Sequence, residues 1–326
     1  MNPMPAELSI QAVLGDVVGS TGHRYGVRDS DGNTMDTAKI IANPSGGYLA
    51  IYHRGDEVKL ASSTDLLTWE LIRTLDPQAT QPTIHLLPTG GFLTAVEYND
   101  QVGSGGRLRL RHYPGLDALL AGTFDRERTL ARTLSLCNEG TPTVLAASLS
   151  PDIDHSVIEI GFHYHRNCDI DRQARGTLID FSFWSTETDP AADHALTTAA
   201  TIQGHTVKGN IGDRDSLVFG DTRYSVHEIQ YTKNDFGSWR MYLRNLETGI
   251  AEFLPVVTHG GSTAFANPTV TALTSPAGHP AIVATLFIPS EGAADGEGGE
   301  LIYYREFIDR DPTADVPAVQ NAHSVR

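Results

Sequence analysis

Apolar positions in this 326-residue chain fall in short runs instead of helical stripes. Runs rich in Val, Ile, Leu, Thr, Tyr and Phe are interrupted by Gly, Pro, Asn and Asp, which is the pattern of strands joined by turns. In the first clear unit a short apolar run from Asp36 precedes a Gly-Gly turn, then YLAIYH, then VKLASS, a TDLLTW turn and WELI. Each apolar run is strand-length, so this unit reads as four consecutive antiparallel strands.

The unit recurs. DTAKIIANPSGGYLAIYH from Asp36 is echoed by TQPTIHLLPTGGFLTAVEY from Thr80, with Gly47 and Gly91 offset by 44 residues. Further copies begin at Gly140 (GTPTVLAAS), Asp213 (DRDSLVFGDTRYSVHEIQY) and Ala266 (ANPTVTAL). Aligned inner-strand positions are Ala38, Pro82, Pro142, Asp215 and Pro268, spaced by 44, 60, 73 and 53 residues. A four-stranded blade takes about 40–50 residues, so the excess is loop. The prediction is an all-β fold, a five-bladed β-propeller with four-stranded antiparallel blades around a central channel. It occupies residues 1–310 as one domain, and residues 311–326 form an extended or disordered tail. A sandwich or barrel is the alternative; the repeated inner-strand motif argues against it. Residues 7–17 are expected to supply the strand that closes the last blade beside LIYYREF. Trp69 and Trp184 are expected to pack as core.

Composition narrows the function. Hydrophobic residues are 40% and charged residues 20%, and no run reaches the roughly 18 apolar residues of a membrane helix. A net charge of −16 with four lysines argues against nucleic acid, although a local arginine cluster can still take one carboxylate. The N-terminal stretch lacks the order of a signal peptide, which points to the cytoplasm, or to secretion if a leader has been removed. Cys137 and Cys168 form neither a disulfide framework nor a Cys-rich metal site. Nothing in the sequence reports the oligomeric state.

A propeller brings residues from distant blades to one axis. Positions just before the inner strands carry Asp36, Glu139, Asp213 and Arg214, then Asp215, with Thr80 or Gln81 in blade two and Asn267 in blade five. The far end of the second strand carries His53, Glu97, His163 with His165, and His227 with Glu228. Asp36, Glu139, Glu97 and Asp213 are the catalytic candidates. His53, His163, His165, Arg214, Asp215, His227, Glu228, Asn267 and Arg172 are the substrate-binding candidates, with Arg175 secondary. Two carboxylates facing each other suit glycoside hydrolysis. His163, His165, His227 and Arg214 would suit β-elimination from a uronic-acid glycan by a lyase. No cofactor is required, but His163, His165 and His227 are the set that would hold a divalent ion, Ca or Zn, in the axial channel. A non-enzymatic carbohydrate-binding propeller is a further alternative; such proteins tend to repeat one site per blade, and the candidates here differ between blades. The expected partner is an oligosaccharide or other small molecule.

The opening Asp36, the GGYLAIYH strand and the SSTDLLTW turn resemble the five-bladed glycoside hydrolases that include arabinofuranosidases, xylosidases, arabinanases and fructan-cleaving enzymes. The resemblance implies a base or nucleophile at Asp36. EGTPTV resembles the family's acid segment with one extra residue, which implies the acid at Glu139. TQPTI departs from the family, which has an aspartate there, and Glu97 stands as its substitute. The His-rich strand ends resemble, more weakly, propeller polysaccharide lyases with neuraminidase-type repeats.

Overall fold

The computed structural model describes residues 8–99 and 105–308, with the backbone alone at 213 and 214. The tail expected at 311–326 lies outside the described residues. A short helix α1 (Ile10–Gly15) precedes β1 (Gly22–Arg24). Blade 1 is β2 (Asp36–Ala42), β3 (Tyr48–Arg54), β4 (Glu57–Ser63) and β5 (Glu70–Asp76). Blade 2 is β6 (Ala79–Leu86), β7 (Phe92–Asn99) and β8 (Gly106–Tyr113), then α2 (Leu116–Ala121) and β9 (Arg126–Thr129). Blade 3 is β10 (Glu139–Leu149), β11 (Ser156–Arg166), β12 (Ile170–Ile179) and β13 (Phe183–Thr188), followed by α3 (Pro190–Ile202). Blade 4 is β14 (Ile211–Phe219), β15 (Thr222–Gln230), β16 (Trp239–Asn245) and β17 (Ala251–Phe253). Blade 5 is β18 (Ala266–Thr274), β19 (Pro280–Ile288) and β20 (Gly299–Glu306), closed by β1 on β20. Each blade is a four-stranded antiparallel sheet, and the five together make the predicted propeller.

The ring closes differently from the sequence expectation. Residues 10–15 of the expected strand form α1 instead, capped where Ser9 accepts a hydrogen bond from Ala12 N. Ile10, Val13 and Leu14 lie at helical spacing and bury together between blades 4 and 5. The closing strand is the three-residue β1, too short to show an alternating pattern.

All five inner strands start with the same irregularity. Asp36 pairs with His53, and the next pair is Lys39 with Ile51, so residues 37 and 38 oppose Tyr52 alone. Thr80–Thr83, Gly140–Thr143, Gly212–Asp215 and Ala266–Thr269 repeat this bulge. Thr37, Gln81, Thr141 and Asn267 adopt left-handed φ of 49–56° at the bulge. The register corrects the sequence alignment in blade 4, where the partner of Ala38 and Pro82 is Arg214 and Asp215 aligns with Lys39 and Thr83.

Four blade interfaces are apolar. Tyr52 and Trp69 pack against Val283 and Ile302 between blades 5 and 1. Leu49 and Leu60 meet Ile84 and Phe92 between blades 1 and 2. Leu93 and Leu110 meet Ile160 and Phe162 between blades 2 and 3. Between blades 4 and 5, Met241 and Leu243 meet Val270 and Leu286. Trp69 is thus core as expected, whereas Trp184 is half-buried on β13 over Gly176. Cys137 and Cys168 are joined as a single disulfide that ties the loop before β10 to the β11–β12 turn.

Candidate functional site

Side chains at every second inner-strand position face the axis. Among the described side chains the first ring below the mouth is Thr37, Gln81, Thr141 and Asn267. The next is Lys39, Thr83, Thr143, Asp215 and Thr269. Lys39 Nζ bonds Asp215 Oδ2 and also donates to the Val270 carbonyl at 2.8 Å. The channel between these rings has room of only about 20 Å³. The axis is therefore nearly filled at this level.

Asp36 stands at the mouth, at the start of β2. The positions equivalent to it are small: Thr80, Gly140, Gly212 and Ala266. Its Oδ2 accepts a 3.4 Å hydrogen bond from Thr34 Oγ1, while Oδ1 is buried with no partner. Burial pushes the Asp36 carboxyl above the usual range, against the opposing pull of His53, the Thr34 hydroxyl, Arg54 and Arg28. His53 pairs with Asp36 across the strands. Its Nδ1 lies 3.2 Å from the Gly55 carbonyl, an acceptor, so Nδ1 carries the proton and Nε2 is left buried without a partner. Burial lowers the His53 pKa, opposed by the Gly55 bond, Asp36, Glu97 and Asp56. The pair is thus biased towards neutrality, with one lone-pair nitrogen and one orphaned carboxyl oxygen.

The sequence reading missed a third group. Glu300, on the third strand of blade 5, is 0% exposed. Its Oε1 accepts from Ala38 N at 3.2 Å and its Oε2 has no partner. Burial, then the neighbouring Asp36, raise its pKa well above the ordinary value. The second-strand end of blade 5 is Phe287, so the acidic residue lies one strand further out than His53, Glu97, His163 and Glu228.

The other four second-strand ends carry His53, Glu97, His163 and Glu228 at one register, as the sequence implied. Glu97 and Glu228 share a second task. Glu97 Oε2 accepts from Thr141 N at 3.3 Å, and Glu228 Oε2 accepts from Asn267 N. Each carboxylate clips its blade to the bulge of the next. The neighbouring glycines follow from this, because a Cβ at Gly140 or Gly212 would lie 1.9 or 2.1 Å from those carboxylates.

Glu139 is placed otherwise. It precedes the mouth position Gly140 by one residue, and its counterparts are the buried Met35, Ala79, Ile211 and Phe265. It is 1% exposed, and its Oε1 accepts from the backbone N–H groups of Thr133, Leu134 and Ser135 at 2.8, 2.6 and 3.1 Å. The extra residue in EGTPTV thus moves this carboxylate off the mouth and into a loop clasp.

His163 and His165 do share a face: their Nε2 atoms lie 3.5 and 3.9 Å from Asp171 Oδ1. Arg172 is a strut, donating to the carbonyls of Asp171 and Gly209. His227 points elsewhere, into the interface between blades 3 and 4, with Nε2 2.7 Å from Ser225 Oγ. Among the described residues no group of three or more His, Cys, Asp or Glu is gathered as metal ligands. The set His163, His165 and His227 does not converge, and the axial cation is the protein's own Lys39. The side chains of Asp213 and Arg214 lie outside the description; by register Asp213 holds the bulge position of Thr37 and Gln81.

No family model matches the sequence, and no curated protein matches it either. Solved structures match its fold. An exo-1,5-α-L-arabinanase from a bovine ruminal metagenomic library superposes with a TM-score of 0.55 at 11% identity, over 85% of this chain and 94% of that one. An α-L-arabinofuranosidase from Lactobacillus brevis gives 0.53 at 9% identity, over 86% and 95%. A thermostable family-43 glycoside hydrolase gives 0.53 at 11%, over 88% and 94%. The chain therefore shares the five-bladed architecture of these glycoside hydrolases, at identities that speak for fold and not for chemistry.

Proposed function

We propose that the chain is a glycoside hydrolase that cleaves an oligosaccharide or polysaccharide at the channel mouth by paired-carboxylate chemistry. The observation that carries this reading is Asp36: a half-buried carboxyl with one buried, orphaned oxygen, at the mouth of a nearly filled channel, ringed by small residues. Its raised pKa makes the carboxylate a stronger base than a solvated one. Asp36 acts as the base or nucleophile. We assign the partner acid to Asp213, the carboxylate that the sequence places just before the inner strand of blade 4, while Glu139 serves as a loop clasp. Such chemistry needs no metal. The arabinan- and arabinofuranoside-cleaving neighbours make pentofuranosides the first substrates to try.

Mass spectrometry on products from an oligosaccharide panel tests this. Hydrolysis adds one water per bond cleaved. Asp36→Asn and Asp213→Asn should each lower turnover by about a thousandfold or more, the scale on which a catalytic group acts. Glu139→Gln should leave kcat within about tenfold while lowering the unfolding midpoint, since the lost contacts are structural. Full activity in Asp36→Asn refutes the assignment. Unsaturated products without added water would make the protein a lyase, with the neutral His53 as the first candidate base. No cleavage at all would favour a binding propeller.

We also place the chain in an oxidising compartment, in place of the cytoplasm suggested by its first residues. The support is the Cys137–Cys168 bridge, since such bonds persist where thiols are not kept reduced. A thiol titration of protein taken from its native source would find no free thiol; two free thiols would reverse this.

A further inference from the structure

Four blade interfaces are filled by apolar side chains from two repeated positions. Ile40, Ile84, Val144 and Val270 hold the first, beside the inner-strand bulge; Tyr52, Val96, Phe162 and Leu286 hold the second, opposite it. In blade 4 these positions are Ser216 and His227. The seam they face, between blades 3 and 4, is also where α3 is inserted between the outer strands of blade 3 and β14. Instead of a packed seam there is a cavity of about 200 Å³, lined by both residues and bordered by Ala192 in the first turn of α3.

The cavity holds an under-compensated cation. Arg244 is 8% exposed, its Nε is buried without a partner, and its counter-ion Asp189 stands 4.0 Å away. Asp189 is already committed. Its Oδ2 accepts from Arg175 Nε and Nη2 at 2.8 and 2.7 Å, and its Oδ1 caps α3 by accepting from Ala192 N at 2.9 Å. Asp215 is committed too: its Oδ2 takes Lys39 and Val270 N, and its Oδ1 takes Ser216 N. Arg223 and Glu159 stand exposed at the rim. Among the described lining residues Arg175, Arg223 and Arg244 stand with Asp189, Asp215 and Glu159, and Asp215 is already paired with Lys39 of the axial channel, so no uncommitted buried carboxylate faces Arg244.

A buried guanidinium short of hydrogen-bond acceptors is costly unless something supplies them. Its planar fork fits the two oxygens of a carboxylate or phosphate. We propose that the seam between blades 3 and 4 is a binding site for one small oxyanion, phosphate or a sugar carboxylate, anchored by Arg244 and separate from the channel mouth. Ser216, Ser225 and Arg223 line the same cavity and supply further donors to the oxyanion or to its hydroxyl groups.

Isothermal titration of the full chain with sodium phosphate, sodium glucuronate and neutral glucose, at matched ionic strength, tests this. Saturable binding of phosphate or of glucuronate, with none for glucose, is expected, and the arm that responds identifies the source of the oxyanion. Arg244→Met should weaken that binding at least tenfold, while Asp36→Asn leaves it unchanged. Arg223→Gln, an exposed rim change, should weaken it severalfold and serves if Arg244→Met does not fold. Absence of saturable binding to either anion overturns the proposal. So does binding that survives Arg244→Met unchanged, or, where that variant does not fold, binding that survives Arg223→Gln unchanged.

Discussion

The seam between blades 1 and 2 and the seam between blades 3 and 4 use the same strand positions for opposite ends. In the first, Leu49, Leu60, Ile84, Phe92 and Val96 close a dry interface. In the second, Ser216 and His227 stand where Ile84 and Val96 would, and arginines and aspartates line an open space. Helix α3 accounts for part of the difference. Leu196, Ala199 and Ala200 pack on Ile211, Ile229 and Tyr242, so apolar burial in this sector moves onto the helix. A propeller ring can evidently give up direct contact along part of one seam when an inserted element covers the exposed strand face. What is left beneath the helix is available for polar recognition.

The largest stability effect should come from breaking the dry seam. Phe92 is fully buried there between blades. Phe92→Ala should cost about 3–5 kcal/mol, the range for a large aromatic removed from a packed core. Denaturant midpoints read this directly. A cost under about 1 kcal/mol would mean that the dry seam does not hold the ring.

The wet seam should respond in the other direction at Asp193, on α3. Burial lifts this carboxyl to about 6, against the Gln173 N–H bond, Arg172 and Arg166, which pull it down, while Asp189 adds to the rise. Between its unfolded pKa of about 4 and its folded value, the native state holds a proton that the unfolded chain lacks. Stability therefore falls as pH rises through that window, and the deficit, up to about 3 kcal/mol, persists above it. Asp193→Asn keeps an acceptor for Gln173 N and removes the charge. Its midpoint should exceed that of the parent at pH 7.5 and approach it at pH 4.5. Equal midpoints at pH 7.5 would remove Asp193 from the comparison.

How much of this was legible depended on how a residue announces itself. Blades 1 and 2 were readable because Gly47 and Gly91 mark identical turns, and the His and Glu strand ends followed from counting forward. In blade 4 the bulge lacks the proline of TQPT, GTPT and ANPT, so sequence alignment alone runs one residue off and sets Asp215 at the position that Arg214 holds. The same one-residue ambiguity put Glu139 at the mouth; only the pairing of Gly140 with His163 shows that the preceding residue faces the core. Glu300 and Arg244 lie on third strands, where no local motif connects them to Asp36 or Asp189. The Cys137–Cys168 pair is 31 residues apart in sequence, and only the fold of blade 3 brings its Cα atoms to 5.4 Å.

The smallest expected effect is the most discriminating. Ser216→Val gives blade 4 the side chain that Val144 and Val270 already supply at the same position in blades 3 and 5. If the wet seam were merely unfilled, the added methyl groups would gain apolar contact and stabilise the ring by up to about 1 kcal/mol. If the seam is built for an anion, Val removes a hydroxyl and places hydrocarbon beside Asp215, Ser225 and His227, none of which can bond to it. The expected result is a midpoint within about 1 kcal/mol of the parent or slightly below it, with oxyanion binding weakened. A clear gain in stability with binding intact would show that the cavity is a packing defect, and that the two seams differ in degree alone.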